Sequence, residues 1–271
     1  MKKWCLLLVL VSSLFSAIAQ DENCNCPGQH KKGKGTFYVA GGYNLDAFSR
    51  SDIHFKDKTE PYYDFTIYNV KAIDRDGIKD IFQENITIPQ YSFRFGYYFN
   101  DKRNLGIEMN YDHAKYVMID DQKAHIKGTT KKDGPYLDQD TLVSPNWLLY
   151  EHTNGANFCM LNLIKRIYIG HSVDKKHWLS GIIKPGVGFV LPRTDVTIFG
   201  VRRNDTYHVA GYIVGLDAGF RYDFFHHFFI ETSGKGSFAN YNRVFLPGDG
   251  RAKQKFFTAE YILTTGFQFA W

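Results

Sequence analysis

Two short stretches carry the residue types of acid–base chemistry. NYDHAKY sets Asp112 beside His113, and YEHTNGAN holds His152 two residues before Asn154. If these stretches flank strands, alternation puts Asp112, His152 and Asn154 on inward faces and turns His113 outward. A carboxylate near an imidazole orients the ring and raises its pKa, which is half of a general-base device. The nucleophile is missing. Thr153 adjoins His152 but should point to the opposite face. The expectation is that Asp112, His152 and Asn154 line a polar ligand pocket, with catalytic residues unassigned. A further group, Asp120, Asp121 and His125, lies between the two stretches.

Metal chemistry is not expected. Cys24, Cys26 and His30 sit in a polar stretch, DENCNCPGQHKKGKG, and two thiols with one His match no structural zinc spacing. A flexible, oxidised tail is the simpler reading. Cys159 lies in an apolar run and reads as a small hydrophobe. No motif implies a cofactor. The formal charge of +5 is too weak to argue for nucleic acid, and no nucleic-acid-binding spacing is present.

The elements that must position these residues are strands. Phe 23, Tyr 18 and Trp 4 make up 17% of 271 residues, yet the mean hydropathy is −0.33. The aromatics are therefore scattered singly among polar residues, as in period-2 strands. IPQYSFRFGYYF and LGIEMNYDH, joined by NDKRN, form a hairpin pattern. The same reading predicts eight strands near 35–46, 88–99, 104–118, 155–169, 178–191, 208–223, 228–240 and 255–271. Short connections (100–103, 170–177, 224–227) alternate with long ones (47–87, 119–154, 192–207, 241–254). Short turns at one end and long loops at the other describe an all-β, eight-stranded antiparallel up-and-down barrel of the transmembrane type.

The N-terminus agrees with export. Lys2 and Lys3, a short apolar core and Ala17-Ile18-Ala19 form a signal-peptide pattern, with cleavage expected after Ala19. The apolar run is too short for a transmembrane anchor. The expected organisation is a signal peptide at 1–19, a flexible periplasmic stub at 20–34 and the barrel at 35–271.

Which face meets lipid is decided by charge. The less oily strand faces collect Arg94, Arg166, Lys184, Arg221 and Lys235 against Glu108, Asp112, Asp217, Glu231 and Glu260, five charges of each sign. On the oily faces only Lys165 is charged in mid-strand, near a turn from which it could snorkel. A charge at mid-membrane on the lipid face costs about 2–4 kcal/mol. A soluble lipocalin-like barrel would turn the oily faces inward and is disfavoured. The ions belong inside, where eight strands leave room only for side chains. The interior should be plugged, with Arg94 pairing Glu108 across the first hairpin. Aromatic girdles are expected from Tyr97, Phe99, Phe228, Phe269 and Trp271 at one rim and Tyr43, Tyr111, Phe189 and Phe238 at the other.

The final residues carry a resemblance. Thr264, Gly266, Phe269 and Trp271 fill a polar, glycine, aromatic, aromatic pattern similar to the C-terminal signal of bacterial outer-membrane barrels. The layout resembles the small eight-stranded barrels, such as the membrane domain of outer membrane protein A, and the Ala19-Gln20 junction resembles signal peptides of the Bacteroidota. The resemblance implies an outer-membrane location and insertion by the barrel-assembly machinery. It implies no activity. EHTNGAN is also similar to a His-x-Ser-Asn stretch of lipid A deacylases, without the serine. A structural or surface-recognition role carried by the long loops is therefore the expected function. An outer-membrane enzyme acting on lipid A or another envelope lipid is the alternative. Lys115, Lys123, Lys127, Lys131, Lys132, Arg202 and Arg203 would face outer-membrane lipids and lipopolysaccharide phosphates. The chain is expected to be a monomer.

Overall fold

In the computed structural model, residues 35–59, 62–75, 89–99, 104–204 and 206–270 are described. The segments expected as signal peptide and stub, with Cys24 and Cys26, and Trp271 lie outside them. Eight long strands form the barrel wall: β1 (Thr36–Phe48), β5 (Tyr91–Tyr98), β6 (Leu105–His113), β11 (Phe158–His171), β12 (His177–Val190), β15 (Gly211–Phe224), β16 (Phe228–Phe245) and β17 (Arg251–Ala270). Each pairs antiparallel with the next, and β17 pairs back onto β1 from Thr36↔Ala270 to Phe48↔Thr258. The sheet closes on itself at this level and has no open edge, which is what hydrocarbon demands of a spanning sheet.

The wall sorts its side chains by solvent. Phe93, Met109, Leu163, Val187, Phe220 and Phe257 are among the large apolar residues left exposed on its outside. Inside lie the ions. Turns at one end are short: β15 and β16 are joined by Phe225, His226 and His227. At the other end the strands run on past the barrel. β16 and β17 reach 18 and 20 residues, longer than the predicted 228–240 and 255–271.

There the long connections fold into a cap. β2 (Ser51–Asp57), β3 (Tyr63–Val70), β8 (Gln122–Thr129) and β9 (Tyr136–Val143) continue the wall outward from the first residues of β17, in the order β17-β2-β3-β8-β9. A second sheet has the order β14-β13-β10-β7-β4, from β4 (Ala72–Asp74), β7 (Tyr116–Met118), β10 (Leu148–His152), β13 (Asp195–Ile198) and β14 (Val201–Asn204). Alternation explains the burial. Ile53, Phe55, Tyr63, Phe65 and Ile67 turn inward from the first sheet and meet Tyr116, Leu148, Tyr150, Val196 and Ile198 from the second. This apolar core runs on to Phe158, Ile213 and Phe256 at the barrel mouth.

Two departures from the sequence reading follow. The third predicted strand, 104–118, ends at His113, and its last residues become β7 in the cap sheet, paired with β10 and β4. The segments 47–87 and 119–154, read as loops, contain paired strands. The β13–β14 hairpin turns on Phe199 and Gly200, both with positive φ, the pairing of a type I′ turn. Phe199 tolerates that backbone while its ring stacks on Trp147 at 6.2 Å.

Candidate functional site

The barrel interior is a stack of charged layers. Nearest the short turns, Arg166 pairs with Asp223, Arg221 donates to Asp223 (3.2 Å) and Gln268 (2.8 Å), and the Arg221 guanidinium lies 3.3 Å from the Phe229 ring centroid. In the next layer Lys184 bridges Glu108 (2.9 Å) and Glu231, and the Tyr38 hydroxyl donates to Glu108 at 2.5 Å. Above that, Asp112 accepts from Arg94 and Lys235, each at 2.5 Å, and Lys235 also reaches Glu260 at 2.8 Å. The top layer is acidic and amide-rich: Asp46, Asn44, Gln90 and Asp74.

All ten ionisable residues assigned to the interior are buried, Asp217 included. The pairing differs in detail. Arg94 sits opposite Asn110 in the register, not Glu108, which faces Gly96. Its guanidinium therefore reaches diagonally to Asp112 and stands 3.7 Å from Glu108. The balance of charge also differs, because Asp46 and Asp223 are buried acids that strand-end positions concealed. Lys165, expected to snorkel, is buried opposite Leu105.

Close packing explains Gly96. A Cβ there would lie 2.2 Å from the Tyr38 ring, so its missing side chain is the space that ring fills. Gly266 has the same character: a Cβ would lie 2.2 Å from Phe229 and 2.5 Å from the Val39 carbonyl across the closing seam. Thr264 is buried and Phe269 exposed on either side of it.

The expected pocket residues are not one site. Asp112 belongs to the ion stack, held also by Ser92 and Asn110. His152 belongs to the cap core, fully buried, with Nδ1 3.0 Å from the Thr194 hydroxyl and its ring stacked on Tyr241 at 5.1 Å. Its pKa is not raised by a carboxylate. Burial, helped by the charge of His208, pushes it down to about 3. The physical reason for the miss is that the chain between Asp112 and His152 crosses into the second cap sheet, so strand parity does not carry over. His113 does not face the outer leaflet openly. It is buried, 2.8 Å from Asn157 and stacked on Tyr91 at 4.7 Å. Asn154 is half-buried, and its carbonyl accepts from Tyr207 at 2.9 Å. Thr153 donates to Glu151, and the hydroxyl that His152 meets is that of Thr194, which is itself fully buried. A base and hydroxyl that no substrate can reach do not make an active site.

What is accessible is the outer face of the first cap sheet. Its side chains form two rows across the strands. One runs Phe245, Arg251, Lys56, Asp64, Thr129, Tyr136, and the next Lys253, His54, Thr66, Lys127, Asp138. Toward β9 the charges are paired. His125 contacts Asp140 (3.0 Å) and Asp138 (2.8 Å), which hold its pKa above the ordinary value, and Lys127 pairs with Asp138 at 3.1 Å. Asp120 and Asp121 are exposed nearby but make no cluster with them that could hold a metal ion among the described residues. Of the basic loop residues, Lys123, Lys131, Lys132 and Arg202 are exposed, whereas Lys115 is buried.

Fold and interior together define a transmembrane β-barrel of the eight-stranded outer-membrane type, closed by its own strand pairing and bearing a folded cap. No family model and no curated protein matches the chain. Among solved structures it is similar to neisserial surface protein A at 11% identity, over 87% of this chain and 99% of that one, with a TM-score of 0.38. It is also similar to OprG of Pseudomonas aeruginosa (12% identity, 89% and 98% covered, TM-score 0.36) and to the outer membrane protease OmpT of Escherichia coli (10%, 90% and 100%, 0.35). Likenesses this remote add nothing to what the strand pairing establishes.

Proposed function

We propose that the protein is an outer-membrane surface protein that acts by recognition, with the barrel as anchor and the cap as the binding element. The observation that carries this reading is the apolar core between the two cap sheets, continuous with the barrel mouth. Loops built this way present their outer faces in one fixed geometry, which lowers the ordering cost of binding. The stacked ion pairs argue against conduction, and the burial of His152 and Thr194 argues against hydrolysis at that pair. In this reading the chain is exported by a signal peptide cleaved after Ala19 and inserted as a monomer by the barrel-assembly machinery. Its cap faces lipopolysaccharide and other outer-membrane lipids.

Two measurements on the intact protein test the reading. In planar bilayers it should show no discrete conductance. Lipid A from cells with and without the gene should have the same acyl and phosphate pattern by mass spectrometry. A steady channel, or an altered lipid A, refutes recognition as the function.

A further inference from the structure

The middle of the first cap sheet carries a groove on its outer face. Alternation turns Asp64, Thr66 and Tyr68 of β3 to that face, beside Lys127 and Thr129 of β8 and Tyr136 of β9. These side chains line an open groove of about 370 Å³, within the size range of small-ligand sites. Tyr62, just before β3, also lines it, and Phe65 and Gly128 complete the lining.

Three tyrosine rings mark the groove. Tyr136 is 63% exposed, whereas Tyr62 and Tyr68 are half-buried. Tyr68 is steadied by the His125 imidazole, with ring centroids 6.1 Å apart. Tyrosine offers a large, stiff contact surface that loses little freedom when it is covered. The Thr66 and Thr129 hydroxyls lie among the rings. Among the described residues, neither these hydroxyls nor those of the three tyrosines hydrogen-bond within the protein.

Charge in the groove is already compensated. Asp64 and Lys127 are its two charged lining residues, and each has partners of opposite sign. Asp64 meets Lys56 and also His54, the latter at 2.8 Å, and Lys127 meets Asp138 at 3.1 Å. An ion entering here would have to displace one of these partners, which favours an uncharged ligand.

Ring faces and hydroxyls are what remains to bind with. The backbone groups of β3 and β8 are engaged in strand pairing on both sides, so an extended peptide finds no ladder on this face. A sugar ring has the matching surfaces. Its C–H faces cover an aromatic ring, and the hydroxyls at its rim donate and accept. Spacing sets the length. Tyr62 and Tyr68 lie six residues apart in extended chain, about 20 Å at ~3.4 Å per residue. A single sugar cannot touch both rings, but a short chain of sugars can.

Resting on the recognition reading above, we infer that the outer face of β3, β8 and β9 is a binding site for a linear, uncharged oligosaccharide, stacked on Tyr62, Tyr68 and Tyr136 and hydrogen-bonded to Thr66 and Thr129. The test is calorimetric titration of the full-length protein in a detergent without sugar headgroups. The probes are neutral gluco-, manno- and galacto-oligosaccharides of increasing length, the neutral polysaccharide released from the cells' own lipopolysaccharide, and a sulfated oligosaccharide as the charged comparison. At least one neutral series should bind, with affinity rising from the monosaccharide to the longer chains and changing less than about twofold with added salt. Tyr68→Ala with Tyr136→Ala should weaken that binding at least about tenfold, while Phe at both positions should hold it within about threefold. Tyr136→Ala alone, at the most exposed ring, should also weaken it, and unchanged Trp147 fluorescence shows that the cap is folded. Binding of the released polysaccharide assigns the site to the cell's own glycan, and binding of the other neutral chains alone assigns it to a foreign one. No binding of any neutral saccharide, or binding of the sulfated probe alone, overturns the inference. If a saccharide binds the double Ala variant as well as the parent, this site is wrong while recognition by the cap still stands.

Discussion

Lowering the pH from 7 to 5 should loosen the cap through a single side chain. His152 has an ordinary pKa of 6.5 and a folded value of about 3, because burial disfavours the charged ring. The unfolded cap therefore binds a proton that the folded cap refuses. Stability from this group is complete above about pH 6.5 and declines by about 1.4 kcal/mol per unit as the pH falls towards 3. At pH 5 the loss is about 2 kcal/mol, and by pH 3 about 4 kcal/mol. His152→Phe keeps a ring against Tyr241 and removes the titration. It forfeits the contact with Thr194, worth about 1 kcal/mol, so the variant should start lower and respond less to acid. Trp147, packed on Phe65 and Phe199, is a natural reporter of cap unfolding by urea, in a background with Trp178 and Trp271 changed to Phe. Comparing variant with parent cancels titrations common to both, including that of His125, whose raised pKa acts in the opposite sense. If the two proteins lose cap stability equally between pH 7 and 5, the burial argument for His152 is wrong.

Asp112→Ala leaves Arg94 and Lys235 without the carboxylate between them and should cost about 3–5 kcal/mol in urea unfolding from lipid vesicles. A cost below 1 kcal/mol would contradict the layered network. Gly96→Ala should cost about 1–3 kcal/mol by overpacking Tyr38, and adding Tyr38→Leu should recover part of it; no recovery would mean the clash lies elsewhere. The folded protein should migrate faster on gels than the boiled one, since the closed wall resists detergent. Identical migration would count against a barrel spanning the membrane.

Much of the barrel was legible in the chain because alternation is a local property. Phe93 and Phe95 point out and Arg94 points in whatever the partners are, once the segment is a strand. The count of charges on each face then chose between lipid and water for the oily side. Partners were a different matter. Glu108 and Arg94 lie near one another in the hairpin, but the register that puts Asn110 opposite Arg94 hands the close contact to Asp112. The cap strands also had their pattern in view: Ile53 and Phe55, or Phe65 and Ile67, alternate as cleanly as any barrel strand. Alternation says that such a face must be covered but not by what. Only the tertiary structure, by extending β16 and β17 past the membrane and laying a second sheet across the mouth, decided that His152 would be buried in aromatics. The same meeting of sheets set Arg203, Arg243 and Arg251, separated by up to 48 positions in sequence, around one phenyl ring. Contacts of that kind depend on loop closure over long separations, which no local spacing encodes.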